Sequence, residues 1–176
     1  DLRFNNINEI PSRAFYGLSQ VTTLFLNGNE IAHLEDGAFE GMPSLRFLYL
    51  NSNQLTRLSK NIFQPLKQLE GVYLESNNIW QIDADTFANL PVLNRIFMFK
   101  NKLTNLPPDA FTRLPSLKRL RLEDNPIDCN CGIYSLWRHY QQHPQRKLIT
   151  IALTCETPAT LYRYGFNGLR ESHFHC

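Results

Sequence analysis

Four cysteines, Cys129, Cys131, Cys155 and Cys176, crowd the last third of this 176-residue chain. Thiols in that number serve two chemistries, cross-linking and metal ligation. Zinc wants Cys-x-x-Cys or paired histidines at ligand spacing, and the closing His173-Phe174-His175-Cys176 run is the only nearby hint of it. An even count gathered at one end reads instead as a disulfide-stapled cap on a secreted or cell-surface protein. Cys129 and Cys131 are too close in sequence to bridge each other without strain, and four cysteines allow three connectivities. Enzymatic constellations are missing: the chain has no Gly-x-Ser-x-Gly, no His-Glu-x-x-His and no phosphate-cradling glycine loop. His33 falls in an expected surface turn, and His139 and His143 fall in an expected cap helix, without a nucleophile alongside. The expectation is a non-catalytic chain with no cofactor of its own.

A second constellation is aromatic and basic. Phe25, Tyr49, Tyr73 and Phe97 recur at one constant interval, and Arg121 takes the next place in the series. Thr23, Phe47, Gly71, Arg95 and Arg119 form a parallel column, and Asn27, Asn51, Glu75, Phe99 and Glu123 a third. Aromatic residues and arginine are the types enriched in interface hot spots. Aromatic neighbours on adjacent strands also stabilise a sheet, and the two roles are compatible. The candidate partner-binding residues are therefore Phe25, Phe47, Tyr49, Tyr73, Arg95, Phe97, Phe99, Arg119 and Arg121. The basic residues among them, with Lys100 and Lys118, crowd one end of the series. A charge run is often only a solvated face; as a site it suits an acidic protein surface or a sulfated glycosaminoglycan.

The elements that must position these columns follow from the period. Asn5, Asn29, Asn53, Asn77, Asn101 and Asn125 stand twenty-four positions apart without slippage, each in the frame L-x-L-x-x-N-x-I/L-x-x-I/L. That is the signature of a leucine-rich repeat solenoid, an α/β architecture with a curved parallel sheet and an extended concave binding surface. Units begin at Val21, Leu45, Leu69, Leu93 and Leu117, and positions 1, 4, 6, 11, 14, 19 and 22 are apolar almost throughout. Positions 3 to 7 alternate outward and inward, the period-2 pattern of a half-buried strand, so the three columns above are the outward positions 5, 3 and 7. Asn at position 9 can donate to and accept from the backbone of neighbouring turns, whose unpaired buried groups would each cost about 1–3 kcal/mol. Phe15, Phe39, Phe63, Phe87 and Phe111, all at position 19, form a core spine with no ligand role.

Residues 1–127 are read as the repeats, with a truncated first unit, and 128–176 as a cysteine-rich flanking cap. In the cap, Gly132 to His143 predicts an amphipathic helix with Ile133, Leu136, Trp137 and Tyr140 on one face, stopped by Pro144. That face is expected to shield Leu120 and Leu122, and Leu148 to Leu153 to run extended towards Cys155. Asp1 falls at position 5 of a unit, so the expectation is a piece of a longer parent whose N-terminal cap lies upstream. Asp1 to Phe4 would then be an uncovered edge strand, a route to self-association.

The net charge of +2 is too small to argue for nucleic acid, and no apolar run is long enough to span a bilayer. Charge is nevertheless uneven along the axis: residues 1–92 hold 6 Lys/Arg against 10 Asp/Glu, and residues 93–122 hold 7 against 1. No Asn-x-Ser/Thr sequon is present, so N-linked glycan shields neither face.

Repeats of this constant length, followed by Pro-x-Asp-Cys-Asn-Cys and two further cysteines, resemble extracellular leucine-rich repeats with a C-terminal flanking cap. That resemblance implies the pairing Cys129–Cys155 and Cys131–Cys176. Several runs further resemble the N-terminal leucine-rich region of the peroxidasin family, its arthropod members in particular. They are Asp1-Leu2-Arg3-Phe4-Asn5, Leu117-Lys118-Arg119-Leu120-Arg121-Leu122, Asp128-Cys129-Asn130-Cys131-Gly132 with Tyr134-Ser135-Leu136-Trp137, and His173-Phe174-His175-Cys176. The resemblance implies a secreted, matrix-associated parent in which such repeats precede immunoglobulin domains and a haem peroxidase domain that cross-links collagen IV. No haem-ligating residue carries over to this chain. Its expected role is an extracellular protein- or matrix-interaction module. A recognition-receptor ectodomain and a homo-oligomerisation module stand as alternatives.

Overall fold

A computed structural model describes residues 1–143 and 150–176. It is a parallel-sheet solenoid of about 6 turns. The strands are β1 (Glu9–Ile10), β2 (Thr23–Phe25), β3 (His33–Leu34), β4 (Phe47–Tyr49), β5 (Arg57–Leu58), β6 (Gly71–Tyr73), β7 (Gln81–Ile82), β8 (Arg95–Phe97), β9 (Arg119–Arg121), β10 (Ile127–Asp128), β11 (Thr150–Ala152) and β12 (Cys155–Thr157), with one α-helix, α1 (Cys131–Gln142), between β10 and β11. The concave sheet has six parallel strands in the order β11-β9-β8-β6-β4-β2. Its register steps by one repeat at each pairing, Thr23↔Phe47↔Gly71↔Arg95↔Arg119. Equal unit length is the cause: a slip of one residue would turn every inward leucine to solvent.

The inward residues Leu24, Leu48, Val72, Ile96 and Leu120 are buried, and so is the phenylalanine spine. Successive spine rings stack 5.7–6.4 Å apart from Phe15 to Phe111. The asparagine ladder joins each turn to the one before it. Asn77 Oδ1 accepts from Leu55 N–H at 3.0 Å, while Nδ2 donates to Leu50 O and Leu74 O, each at 3.0 Å. Asn53, Asn101 and Asn125 repeat the same three bonds. Just before each of these asparagines the chain turns through a left-handed residue, with φ near +55° at Ser52, Ser76, Lys100 and Asp124 and +72° at Gly28. At Gly28 a Cβ would also require the exposed Phe4 ring, 2.4 Å from where it would stand, to move aside.

Both disulfides pair as the resemblance implied, Cys129–Cys155 and Cys131–Cys176, with Cα–Cα separations of 5.4 and 5.6 Å. Helix α1 starts one residue earlier than expected, because Asn130 caps it by accepting from Gly132 N–H at 2.7 Å; His143 is its C-cap. Ile133, Leu136 and Trp137 are buried, Tyr140 packs partly buried against the core, and Trp137 Nε1 donates to Leu169 O. Within the run expected to be extended towards Cys155, residues Thr150–Ala152 form a strand, and it closes the edge of the last repeat. Strand β11 pairs with β9, and Leu122 N–H donates to Ala152 O, so the cap adds a sixth strand to the sheet while α1 joins the same core cluster. Pro144, Leu148 and Ile149 lie outside the described residues. His33, expected in a turn, lies in β3, which pairs with β1 along the flank of the coil.

Candidate functional site

The three outward columns share one face, as the spacing required. At its centre runs a ladder of rings. Phe25 and Tyr49 stack with centroids 4.7 Å apart, Tyr49 and Tyr73 at 4.3 Å, and Tyr73 meets Phe97 edge-on at 5.2 Å. All four side chains are half-buried. Arginines close the ladder at both ends: the Arg3 guanidinium lies 4.8 Å from the Phe25 centroid, and Arg121 lies 5.6 Å from Phe97 and 4.4 Å from Phe99. Cation–π contacts of this kind hold rings in place at modest gain, about 0.5–1 kcal/mol when exposed.

Arg121 has partners within the chain. Its Nε donates to Glu123 Oε1 at 2.6 Å and the pair forms an ion pair, so Arg121 is already engaged within the chain. Arg95 and Arg119 make no ion pair among the described residues and keep their charge for the face. Lys100 and Lys118 are exposed, Lys118 next to Arg119 and Lys100 past the far end of β8, where its N–H donates to Glu123 O. The third column is acidic and polar. Asn27 Oδ1, Glu75 Oε2 and Glu123 Oε2 are buried without a hydrogen-bond partner, all at position 7. Burial pushes the Glu75 carboxyl above its usual range, against the pull of its own backbone N–H and of Arg121. Burial likewise raises the Tyr49 phenol, with Tyr73 beside it adding to the shift and Arg95 opposing it. The axial charge step in the sequence thus becomes a polarity across the strands: Arg95 and Arg119 at the strand starts, Glu75 and Glu123 just past the strand ends, aromatic rings between.

This is a sheet face with a graded chemistry and no reaction centre. The Leucine rich repeat model matches residues 1–55, 22–79 and 67–127. The chain belongs to the leucine-rich repeat family. It is also 76% identical over all 176 residues to Peroxidasin of Drosophila melanogaster, of whose length it spans 12%, at the N-terminal region. Leucine-rich repeat domains mediate protein interactions, and the fold is non-catalytic. The matched part of the relative is confined to this leucine-rich region, so no haem is expected in this chain. The disulfides and the Peroxidasin relative fit an extracellular protein, and no helix among the described residues is long and apolar enough to cross a membrane.

Sequence reasoning missed two features of this leucine-rich repeat face. The Arg3 contact was available to it, since Asp1 at position 5 puts Arg3 at position 7 beside the ladder. The Arg121–Glu123 pairing was available too, as an i,i+2 pair on one side of a strand. Away from the face, a cleft of about 890 Å³ is lined by loop residues including Lys60, Lys67 and Arg113, and by no concave position. Its cations are partly engaged: Arg113 pairs with Asp85 and Asp109, and Lys67 Nζ donates to Asn89 O.

Proposed function

We propose that the chain is an extracellular docking module that holds a protein partner on its concave face. The aromatic ladder forms the centre of the contact, and Arg95 and Arg119 select an acidic patch on the partner. The observation that carries this reading is the continuous run of four half-buried rings on the solvent side of the sheet, since large aromatics beside arginine are where binding energy concentrates. The Peroxidasin relative supports a secreted, matrix-associated parent of haem peroxidase type, in which the module positions the enzyme. The test is capture from an extracellular matrix extract. Tyr49→Ala and Tyr73→Ala should each cost about 2 kcal/mol or more of affinity with little change in salt dependence. Arg95→Gln with Arg119→Gln should flatten the salt dependence, because rim charges are screened within about 8 Å at physiological ionic strength. Capture equal to wild type by both sets, with folding intact by circular dichroism, would rule out the concave face.

A further inference from the structure

The flank of the coil carries a tryptophan that the concave face does not use. Ala32, Thr56, Trp80 and Thr104 hold one place in successive units. The indole therefore stands out between small side chains and is 52% exposed. Trp80 N–H donates to Thr56 O, and the Arg57 guanidinium lies 5.3 Å from the ring centroid, so the preceding turn braces the indole. Towards the following turn the flank is interrupted. Glu35 and Asp83 donate their N–H to Ile10 O and Leu58 O. Pro107 holds that same place one unit on, and a proline has no N–H to give Ile82 O. Strands β5 and β7 accordingly form a two-stranded sheet that the next turn does not join. A cleft of about 330 Å³ lies at the interruption, lined by residues including Trp80, Gln81, Ile82, Thr104, Asn105 and Pro107.

These walls set an aromatic surface beside two carboxamides and a hydroxyl, with no ionised side chain among the lining residues. Asn105 Nδ2 donates to Thr104 Oγ1 at 3.3 Å, which ties those two polar groups together. A sugar ring is the complement of such a surface. The C–H groups of one pyranose face are apolar and pack on an aromatic ring, while the hydroxyls around its edge both donate and accept. We propose that the cleft binds one neutral sugar ring of a glycan. Its apolar face lies against the Trp80 indole, and its hydroxyls donate to Ile82 O and accept from the Gln81 carboxamide. The volume is at the lower end of the about 300–1,000 Å³ of small-molecule sites, which suits a single ring. Uncharged walls give a sulfate or a uronic acid no partner. The site is independent of the concave-face reading, because β5 and β7 belong to a different sheet from the ring ladder.

The probes are the methyl glycosides of glucose, galactose, mannose and N-acetylglucosamine, titrated into the whole chain and followed by NMR. The chain has two tryptophans. Trp137 is buried with Nε1 bonded to Leu169 O, so its indole signal is the internal reference for folding. At least one glycoside should move the Trp80 indole and Gln81 carboxamide signals saturably, with a millimolar Kd, and leave Trp137 unmoved. Trp80→Ala, read at the Gln81 amide, should abolish the saturable shift, and Trp80→Phe should keep part of it. Gln81→Ala, read at the indole, should weaken binding about two- to tenfold, as expected for one hydrogen bond. N-acetylglucosamine 6-sulfate should bind no more tightly than its neutral parent. Absence of a saturable shift with every glycoside up to about 100 mM, well beyond a millimolar Kd, would overturn the proposal. So would unchanged binding in Trp80→Ala or Gln81→Ala, or tighter binding of the sulfated sugar. Tighter binding of a triproline peptide than of any glycoside would overturn it as well and make the cleft a peptide site.

Discussion

Tyr49 and Tyr73 stand one strand apart with ring centroids 4.3 Å from each other and planes 2° from parallel. Two phenols held this way are a packing unit as well as a binding surface. A double-mutant cycle with Tyr49→Ala and Tyr73→Ala, read by urea denaturation, should give a coupling of about 0.5–1.5 kcal/mol. Independent effects would show that the rings only share a face. The pair also sets an alkaline limit. Burial and Tyr73 raise Tyr49 above the 10.0 usual for a phenol, so the unfolded chain releases this proton first. Stability should therefore fall as pH rises past 10, and less steeply in Tyr49→Phe.

Glu75 points the same way at acid pH. Its folded pKa is raised above the 4.5 of an ordinary glutamate, chiefly by burial. Between 4.5 and the folded value the native state holds the proton that the unfolded chain has lost, so stability declines as pH rises through that window. Glu75→Gln should consequently melt higher than wild type at neutral pH, and the gain should vanish below pH 4. A Glu75→Gln chain that melts lower at pH 7 would mean the carboxylate is held by favourable contacts.

The ladder asparagines should be the most sensitive polar positions in the repeats. Asn77→Ala leaves Leu55 N–H without its partner inside the core and removes one of the two amide donors on each of Leu50 O and Leu74 O, which keep Asn53 Nδ2 and Asn101 Nδ2. At about 1–3 kcal/mol for a buried unsatisfied group, a loss of about that size is expected in chemical denaturation. Asn77→Asp should also be destabilising, because a carboxylate accepts from Leu55 but cannot donate to the two carbonyls. Substituting the exposed neighbour Ser76 is the control, and an equal loss there would assign the effect to the turn.

The repeats were legible because one constraint fixes everything in them. With every unit the same length and a side-chain period of two, the frame around Asn53 dictates which way Phe47, Tyr49 and Asn51 point, and every later unit repeats it. The face therefore followed from counting. What counting could not supply was anything that leaves the period. Strand β11 was expected as an extended run in the cap, but no repeat announces its pairing with β9, which adds a sixth strand through Thr150 and Ala152. The two-residue strands β5 and β7, paired at Arg57↔Gln81 and Leu58↔Ile82, are too short to carry an alternation. The engagement of Arg121 is a matter of neighbours: composition marks it as one of a basic cluster, and only its place beside Phe99 and Glu123 shows that its charge is already met.

The two bridges of the cap differ in access, and this gives the last expectation. Cys129 and Cys155 are each 1% exposed within the core, whereas Cys131 and Cys176 are exposed. Thiolate attack needs a reachable sulfur, so burial should protect one bridge and leave the other open. Mild reduction of the native chain followed by alkylation should label Cys131 and Cys176 first, with Cys129 and Cys155 labelled only as the cap unfolds. The consequences should differ as well. Cys129 follows β10 and Cys155 opens β12, two strands that pair with each other, so their bridge reinforces the seam between repeats and cap. Cys131–Cys176 ties the start of α1 to the chain's last residue. Replacing Cys129 and Cys155 by serine should cost about 2–5 kcal/mol, and should loosen β11 from β9 as read by hydrogen exchange at Leu122 N–H. Replacing Cys131 and Cys176 should leave that amide protected while the segment after Leu169 exchanges faster. Simultaneous labelling of all four cysteines under native conditions would show that the cap opens as one unit and that burial does not separate the bridges.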